Sequence, residues 1–259
     1  MTTPNTFTLY TFAMSHYSEK IRWTLDHTGI PYQEICLTPA FHMGTALRLG
    51  KRAKTTLPVI KTPQGQSIQD SERILDWLEK NQAPLALIPA TLRTDIRAVE
   101  QRFNAIGKDV ARFLYQASFG SGDAYIIKLW TDHATPFERV MIRRGYPLIR
   151  WAFQRKLNIN AVSARRAQTR IGQQVDWLEQ QLQTLDDYLI GGVFTEADIT
   201  AASLLAPLAC PKEHPVYGNP QYQAIMSQAM APWQNRMALD WVRTIYQKHR
   251  GQMGGGVAL

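Results

Sequence analysis

The hydrophobic period of this chain changes once, near Pro89. Before that point, short alternating or apolar runs are separated by turn residues. After it, apolar residues recur every three or four positions for most of what remains. A chain patterned in this way reads as a small α/β layer followed by an all-helical body. With 259 residues, 45% of them apolar, it has enough core-forming side chains for both.

Phe7, Leu9, Thr11 and Ala13 alternate with Thr8, Tyr10 and Phe12, which predicts a strand over 7–13 with both faces covered. Ser15-His16-Tyr17-Ser18-Glu19 then supplies hydroxyl caps and an early acid, so a helix is expected over 17–28. Tyr17, Ile21, Trp23, Leu25 and Thr28 form its inward stripe, and Gly29 and Pro31 end it. Tyr32–Leu37 alternates as a second strand, parallel to the first because a crossover helix joins them. A short helix is expected through 45–49. Leu57-Pro58-Val59-Ile60 and Ser67-Ile68-Gln69 flank the turn residues 62–66 and predict a hairpin, followed by a helix over 71–80.

Beyond Pro89, long helices are expected over 92–118 and 162–189, the second on a stripe of Ile171, Val175, Leu178, Leu182 and Leu185. A buried central helix is expected over 197–209, and one or two further helices over 220–248. The stretch 120–147 reads as less regular. The expected division is a first domain at 1–82, a linker at 83–89, a helical domain at 90–250 and a mobile glycine-rich tail at 251–259.

Composition narrows the function. The net charge is +8, but the basic residues lack interleaved aromatics or a DNA-binding helix motif, so nucleic acid is not an expected partner. No run reaches the length of a membrane span, and Met1–Thr6 does not resemble a signal peptide. Cys36 and Cys210 lie far apart in no motif. A cytoplasmic location is therefore expected, with no metal site built on cysteine.

Four local signals follow one another in the chain. Ser15 opens a helix, where N–H groups favour an anion and a hydroxyl can donate to one; the same residue also suits a plain cap. Leu57-Pro58 begins a strand, and a proline there is either an ordinary edge residue or a cis one that exposes backbone for strand addition. Asp70-Ser71 sets a carboxylate and a hydroxyl beside the free N–H groups of a helix start, matching an amino-acid head group or simple capping. Thr195-x-x-Asp198 is a capping box at the head of the most apolar helix and reads as folding machinery.

Taken together, these signals resemble the soluble glutathione transferase superfamily over nearly the whole chain. The resemblance implies a thioredoxin-like domain followed by an all-helical one. It implies glutathione as co-substrate, activated by Ser15. The tripeptide's cysteinyl backbone would pair at Leu57 beside a cis Pro58, and its γ-glutamyl group would be held by Asp70 and Ser71. Lys54 is the expected partner of the glycyl carboxylate, with Lys51 or His42 as substitutes. Where cysteine-type members carry a thiol this chain has Ser15, so it resembles a serine-type member, without redox chemistry through an enzyme thiol.

The implied activity is transfer of the glutathione thiolate to a small apolar electrophile, as in detoxification. Phe103, Arg112, Phe113 and Tyr115 of the long helix are the expected wall, although the aromatics also suit a plain core. A glutathione-dependent isomerase, lyase or dehalogenase, or a non-catalytic binding protein, are the alternatives on the same fold. A homodimer is implied as well. His16-Tyr17 departs from the usual proline or small residues after the activating position. The stretch 120–160 is longer than in many members and suggests an extra helical lid.

Overall fold

The computed structural model describes residues 6–50, 55–82, 86–184 and 187–250. Lys51, Lys54, Leu185, residues 83–85 of the expected linker and the 251–259 tail lie outside them. The first part of the chain runs β1 (Phe7–Thr11), α1 (His16–Thr28), β2 (Tyr32–Cys36), α2 (His42–Leu49), β3 (Val59–Lys61), β4 (Ser67–Gln69) and α3 (Ser71–Asn81). The sheet order is β2-β1-β3-β4, with β1 parallel to β2 and antiparallel to β3. This is a thioredoxin-like layer, and a helical region follows it.

The helical region contains α4 (Arg93–Ser118), α5 (Asp123–Thr131), α6 (Pro136–Leu157), α7 (Ala161–Leu182), α8 (Glu196–Ala209), α9 (Pro220–Met230) and α10 (Met237–His249). Every residue of α8 is buried. Its many small side chains let α1, α4 and α10 approach it closely. Thr195 and Asp198 form the expected capping box, and Asp198 also accepts from the Leu189 N–H at 2.9 Å. Leu87 and Ile88, just before α4, are buried, and the Leu87 carbonyl accepts from the Glu196 N–H.

Three expectations are corrected. The stretch 120–147 is regular, forming α5 and most of α6. Thr135 caps α6 reciprocally with Glu138, Pro136 occupies its first turn, and Pro147 is accommodated on an exposed face. The helix expected over 162–189 ends at Leu182. α1 is also not buried along one stripe: residues 18–25 are buried without interruption. α8 and α3 pack closely against α1, and α4 reaches it through Glu100 at Lys20 and the Asn104 carbonyl at Tyr17.

That full burial takes charged side chains out of water, and each is met by an opposite charge. Lys20 pairs with Glu100 of α4 at 2.8 Å, both side chains being almost fully buried. Arg97 also reaches Glu100, and its other nitrogen meets Glu79 of α3. Glu19 meets Arg250 at 2.9 Å and Arg22 at 3.3 Å, while Arg22 also binds Glu34 and the Phe12 carbonyl. The two parts of the molecule are therefore joined by ion pairs as well as apolar packing. Buried ions persist only where such partners stand opposite them.

Candidate active site

Sheet register decides what lies beside what. Tyr10 stands opposite Val59, and Val59 stands opposite Gln69. One step further along each strand come Thr11, Pro58 and Asp70. The β1–α1 turn, Leu57-Pro58 and Asp70-Ser71 thus share one edge of the sheet, and the Asp70 N–H donates to the Pro58 carbonyl at 3.1 Å. Three signals scattered over some sixty positions of sequence become neighbours through strand pairing alone.

Ser15 is half-buried at the N-cap of α1. Its Oγ accepts from the Ser18 N–H at 3.2 Å. The hydroxyl hydrogen has no acceptor among the described residues, and neither do the N–H groups of His16 and Tyr17. Ser15 is therefore a cap whose own donor is still available. These three donors together form a preorganised positive end for an anion.

The Leu57–Pro58 peptide is cis. Neither the N–H nor the C=O of Leu57 bonds to another described residue. Its neighbour Thr56 is held through its carbonyl by Gln69 Nε2 at 2.8 Å. Asp70 stands at the N-cap of α3, yet its carboxylate makes no capping bond. Its φ of 90° lies where a residue other than glycine is strained, and the side chain is exposed. Plain capping does not explain it. Ser71 is buried beside it at the first position of α3.

The helical region closes the edge from the other side. Tyr115 of α4 donates to the Met14 sulfur at 3.2 Å, and Tyr217 donates to the Met14 carbonyl. Both phenols are buried, which pushes Tyr115 up to about 12 and Tyr217 well above the ordinary phenol value, so both remain neutral donors. Tyr17 donates to the Asn104 carbonyl at 2.8 Å, and Asn104 donates to Glu72 at the head of α3. Gly107 of α4 faces Tyr17, whose hydroxyl would lie 2.1 Å from any Cβ there. Only glycine lets α1 and α4 approach this closely.

Of the residues expected along α4, Tyr115 alone reaches the Ser15 turn, where Phe119 and Phe153 pack against its ring. Phe103 is fully buried edge-on to Trp177, and Phe113 is buried against Trp233, so both belong to the core. The Arg112 guanidinium is engaged by the Leu157 carbonyl and Asp109, and ties α4 to the end of α6. Tyr217 and Lys156 were not anticipated. Lys156 of α6 donates to the Thr55 hydroxyl at 2.8 Å, two residues before Leu57. His42 meets the Thr55 carbonyl at 3.1 Å. No local pattern marks such contacts, because each joins positions far apart in the chain.

His16, His42 and His214 are each pushed down to about 4, chiefly by burial. Such a ring is neutral in the fold and stabilises it above its unfolded value near 6.5; that contribution is lost as pH falls toward 4. Glu196, pushed up to about 8 mainly by burial, acts in the opposite sense and loses its contribution as pH rises from about 4.5 toward 8. We expect the ring resonances of His16 and His214 to stay at their neutral-imidazole positions from about pH 7 to about pH 5. A titration of either ring near pH 6.5 in nuclear magnetic resonance spectra would contradict the burial described. An anion at Ser15 is thus met by N–H and O–H dipoles and not by an imidazolium.

A sequence family described as glutathione S-transferase, N-terminal domain, matches residues 9–85. No curated protein matches the chain. Several solved structures share its fold. One is a glutathione S-transferase of Ceriporiopsis subvermispora in complex with glutathione, 18% identical, covering 98% of this chain and 100% of that one at a TM-score of 0.60. Another is the beta-etherase of Sphingobium sp. strain SYK-6, 19% identical, covering 94% and 99% at 0.58. A third is a glutathione S-transferase of Methylobacillus flagellatus with glutathione bound, 16% identical, covering 92% and 98% at 0.54. Residues 9–85 therefore match a glutathione S-transferase N-terminal domain, and the chain shares the two-part fold of these solved structures.

Proposed function

We propose that this protein binds glutathione along the Leu57–Pro58 edge and transfers its thiolate to an apolar electrophile. The observation that carries the reading is the gathering, on one edge, of three groups with unused hydrogen-bonding capacity: the Ser15 end of α1, the Leu57 backbone, and Asp70-Ser71. Glutathione presents a complementary set. Its ammonium meets the Asp70 carboxylate, and its γ-glutamyl carboxylate meets the Ser71 hydroxyl and the open N–H groups of α3. Its cysteinyl backbone pairs with Leu57 as an added strand. Lys54 supplies a cation for the glycyl carboxylate, and Lys156 on Thr55 stands at the same loop. Two of the fold neighbours named above hold glutathione, which agrees with this reading.

In this pose the sulfur lies at the head of α1. The thiol proton leaves to solvent, and the thiolate accepts hydrogen bonds from Ser15 and the adjacent N–H groups. Serine acts as a donor and not as the nucleophile, as in a serine-type member. The second substrate is held against Tyr115, Phe119 and Phe153, whose rings offer an apolar wall beside Met14.

Calorimetric titration with glutathione tests the binding half of this reading. Asp70→Asn is expected to weaken binding about tenfold, because a charge-assisted pair becomes a neutral one. Asparagine tolerates positive φ, so the denaturation midpoint is expected to change little. Undiminished affinity in Asp70→Asn would remove Asp70 from the site.

A further inference from the structure

Helix α6 carries a second apolar face that is largely exposed among the described residues. Its inward face, including Ile142 and Tyr146, is buried. On the opposite side Phe137, Val140, Met141, Leu148 and Trp151 are between 46% and 68% exposed. At about 100° per residue they fall within about 100° of one another around the helix and so share one stripe, about 21 Å long from Phe137 to Trp151. Phe41, at the N-cap of α2, extends the patch, its ring 6.3 Å from that of Phe137. Of the eleven exposed large apolar side chains among the described residues, seven lie on α2 and α6 and an eighth is Phe41 at the N-cap of α2. A patch concentrated in this way marks a docking surface.

Charge selects the occupant. α6 holds Arg139, Arg143, Arg144, Arg150, Arg155 and Lys156 against the single acid Glu138, which is engaged in the Thr135 cap. Arg144 and Arg155 fall within the apolar stripe, and Arg155 lies over the Trp151 ring at 5.4 Å. Arg143 and Arg144 have no ionic partner among the described residues. A second copy packed helix to helix on this face would take Arg144 out of water, with the cap-engaged Glu138 the only carboxylate on either helix. A layer of anionic headgroups meets Arg143, Arg144 and Arg155, while Arg150 is held inward by Asp123, and the aromatic and aliphatic groups enter the acyl boundary. No helix among the described residues is long and apolar enough to cross a membrane, so the geometry is that of a helix lying in the surface.

We propose that the outer face of α6 docks this protein on anionic membrane surfaces. Cosedimentation of the full chain with large unilamellar vesicles tests this. Binding to phosphatidylcholine vesicles containing one third phosphatidylglycerol is expected to be at least tenfold tighter than to phosphatidylcholine alone, and to weaken with salt. The double substitution Leu148→Glu/Trp151→Glu, on exposed side chains, is expected to lower binding at least tenfold with an unchanged circular dichroism spectrum. Arg143→Gln/Arg144→Gln is expected to reduce the preference for the anionic vesicle. Absence of vesicle binding by the unaltered protein overturns the proposal, as does binding that survives Leu148→Glu/Trp151→Glu. If light scattering shows a dimer that Leu148→Glu/Trp151→Glu splits and the vesicles recover nothing, the stripe is instead an interface between copies, and the proposal is also overturned.

Discussion

Replacing Ser15 with alanine is expected to lower kcat/KM for conjugation of chlorodinitrobenzene about a hundredfold, with the glutathione dissociation constant changed less than about threefold. A donor that favours the thiolate by about two pKa units stabilises it by ~2.7 kcal/mol, which corresponds to that factor. Ser15 also accepts the Ser18 N–H at 3.2 Å, so alanine removes a cap and costs about 1 kcal/mol of stability as well. Ser15→Asp separates the two roles. Aspartate accepts from Ser18 and keeps the cap, but it offers no donor and places a negative charge beside the sulfur. It is expected to match the stability of the unaltered protein and to be at least as inactive as Ser15→Ala. Ultraviolet titration of the bound thiolate provides the direct readout, with an apparent pKa that rises in both variants. Full activity in Ser15→Asp would reduce Ser15 to a helix cap, and the reading of the site would then fail at its centre.

The largest loss of stability is expected from Lys20→Met. Lys20 lies on α1 with a fully buried side chain, 2.8 Å from Glu100 on α4. Removing one member of a buried pair leaves the other charged and desolvated, at a cost of about 3–5 kcal/mol. Arg97 still reaches Glu100 at 2.6 Å and offsets part of that cost. Glu196 nearby also loses the cation that draws its carboxyl down, and so moves further toward its neutral form. Adding Glu100→Gln to Lys20→Met is expected to recover at least half of the loss, because no buried charge is then left unmet at that spot. Urea unfolding followed by both fluorescence and circular dichroism measures the effect. The two signals are expected to separate in Lys20→Met, since the pair joins the sheet layer to the helical region. Coincident transitions and a loss below about 1 kcal/mol would show that apolar packing alone holds the two parts together.

Some features were legible because their causes are local. Ser15, Gly29 and the Thr195–Asp198 box act on backbone groups within four residues of themselves, so their patterns can be read in a line. The change of period near Pro89 likewise announced a sheet layer followed by a helical region. Where local signals competed, the readings slipped. Pro147 suggested an irregular stretch, but a proline on an exposed face of α6 sacrifices one hydrogen bond without a packing clash. Tyr115, Phe103 and Phe113 share a helix and a chemistry, and nothing in their spacing says which of them turns toward Met14.

Outside α5 and α6, the amino-acid order alone determined the succession of strands and helices, and it marked which short stretches carry unused polar groups. Those are properties of a residue and its near neighbours. Tertiary structure decided which stretches meet, because strand register sets Ser15, Leu57-Pro58 and Asp70-Ser71 on one edge. It also decided that Glu19, Lys20 and Arg22 are buried, that Tyr217 holds the Met14 carbonyl, and that α6 turns an apolar stripe outward. Each of these depends on a partner scores of residues away. A charged side chain enters the interior only when an opposite charge from another element arrives at the same point, and no window of sequence contains both.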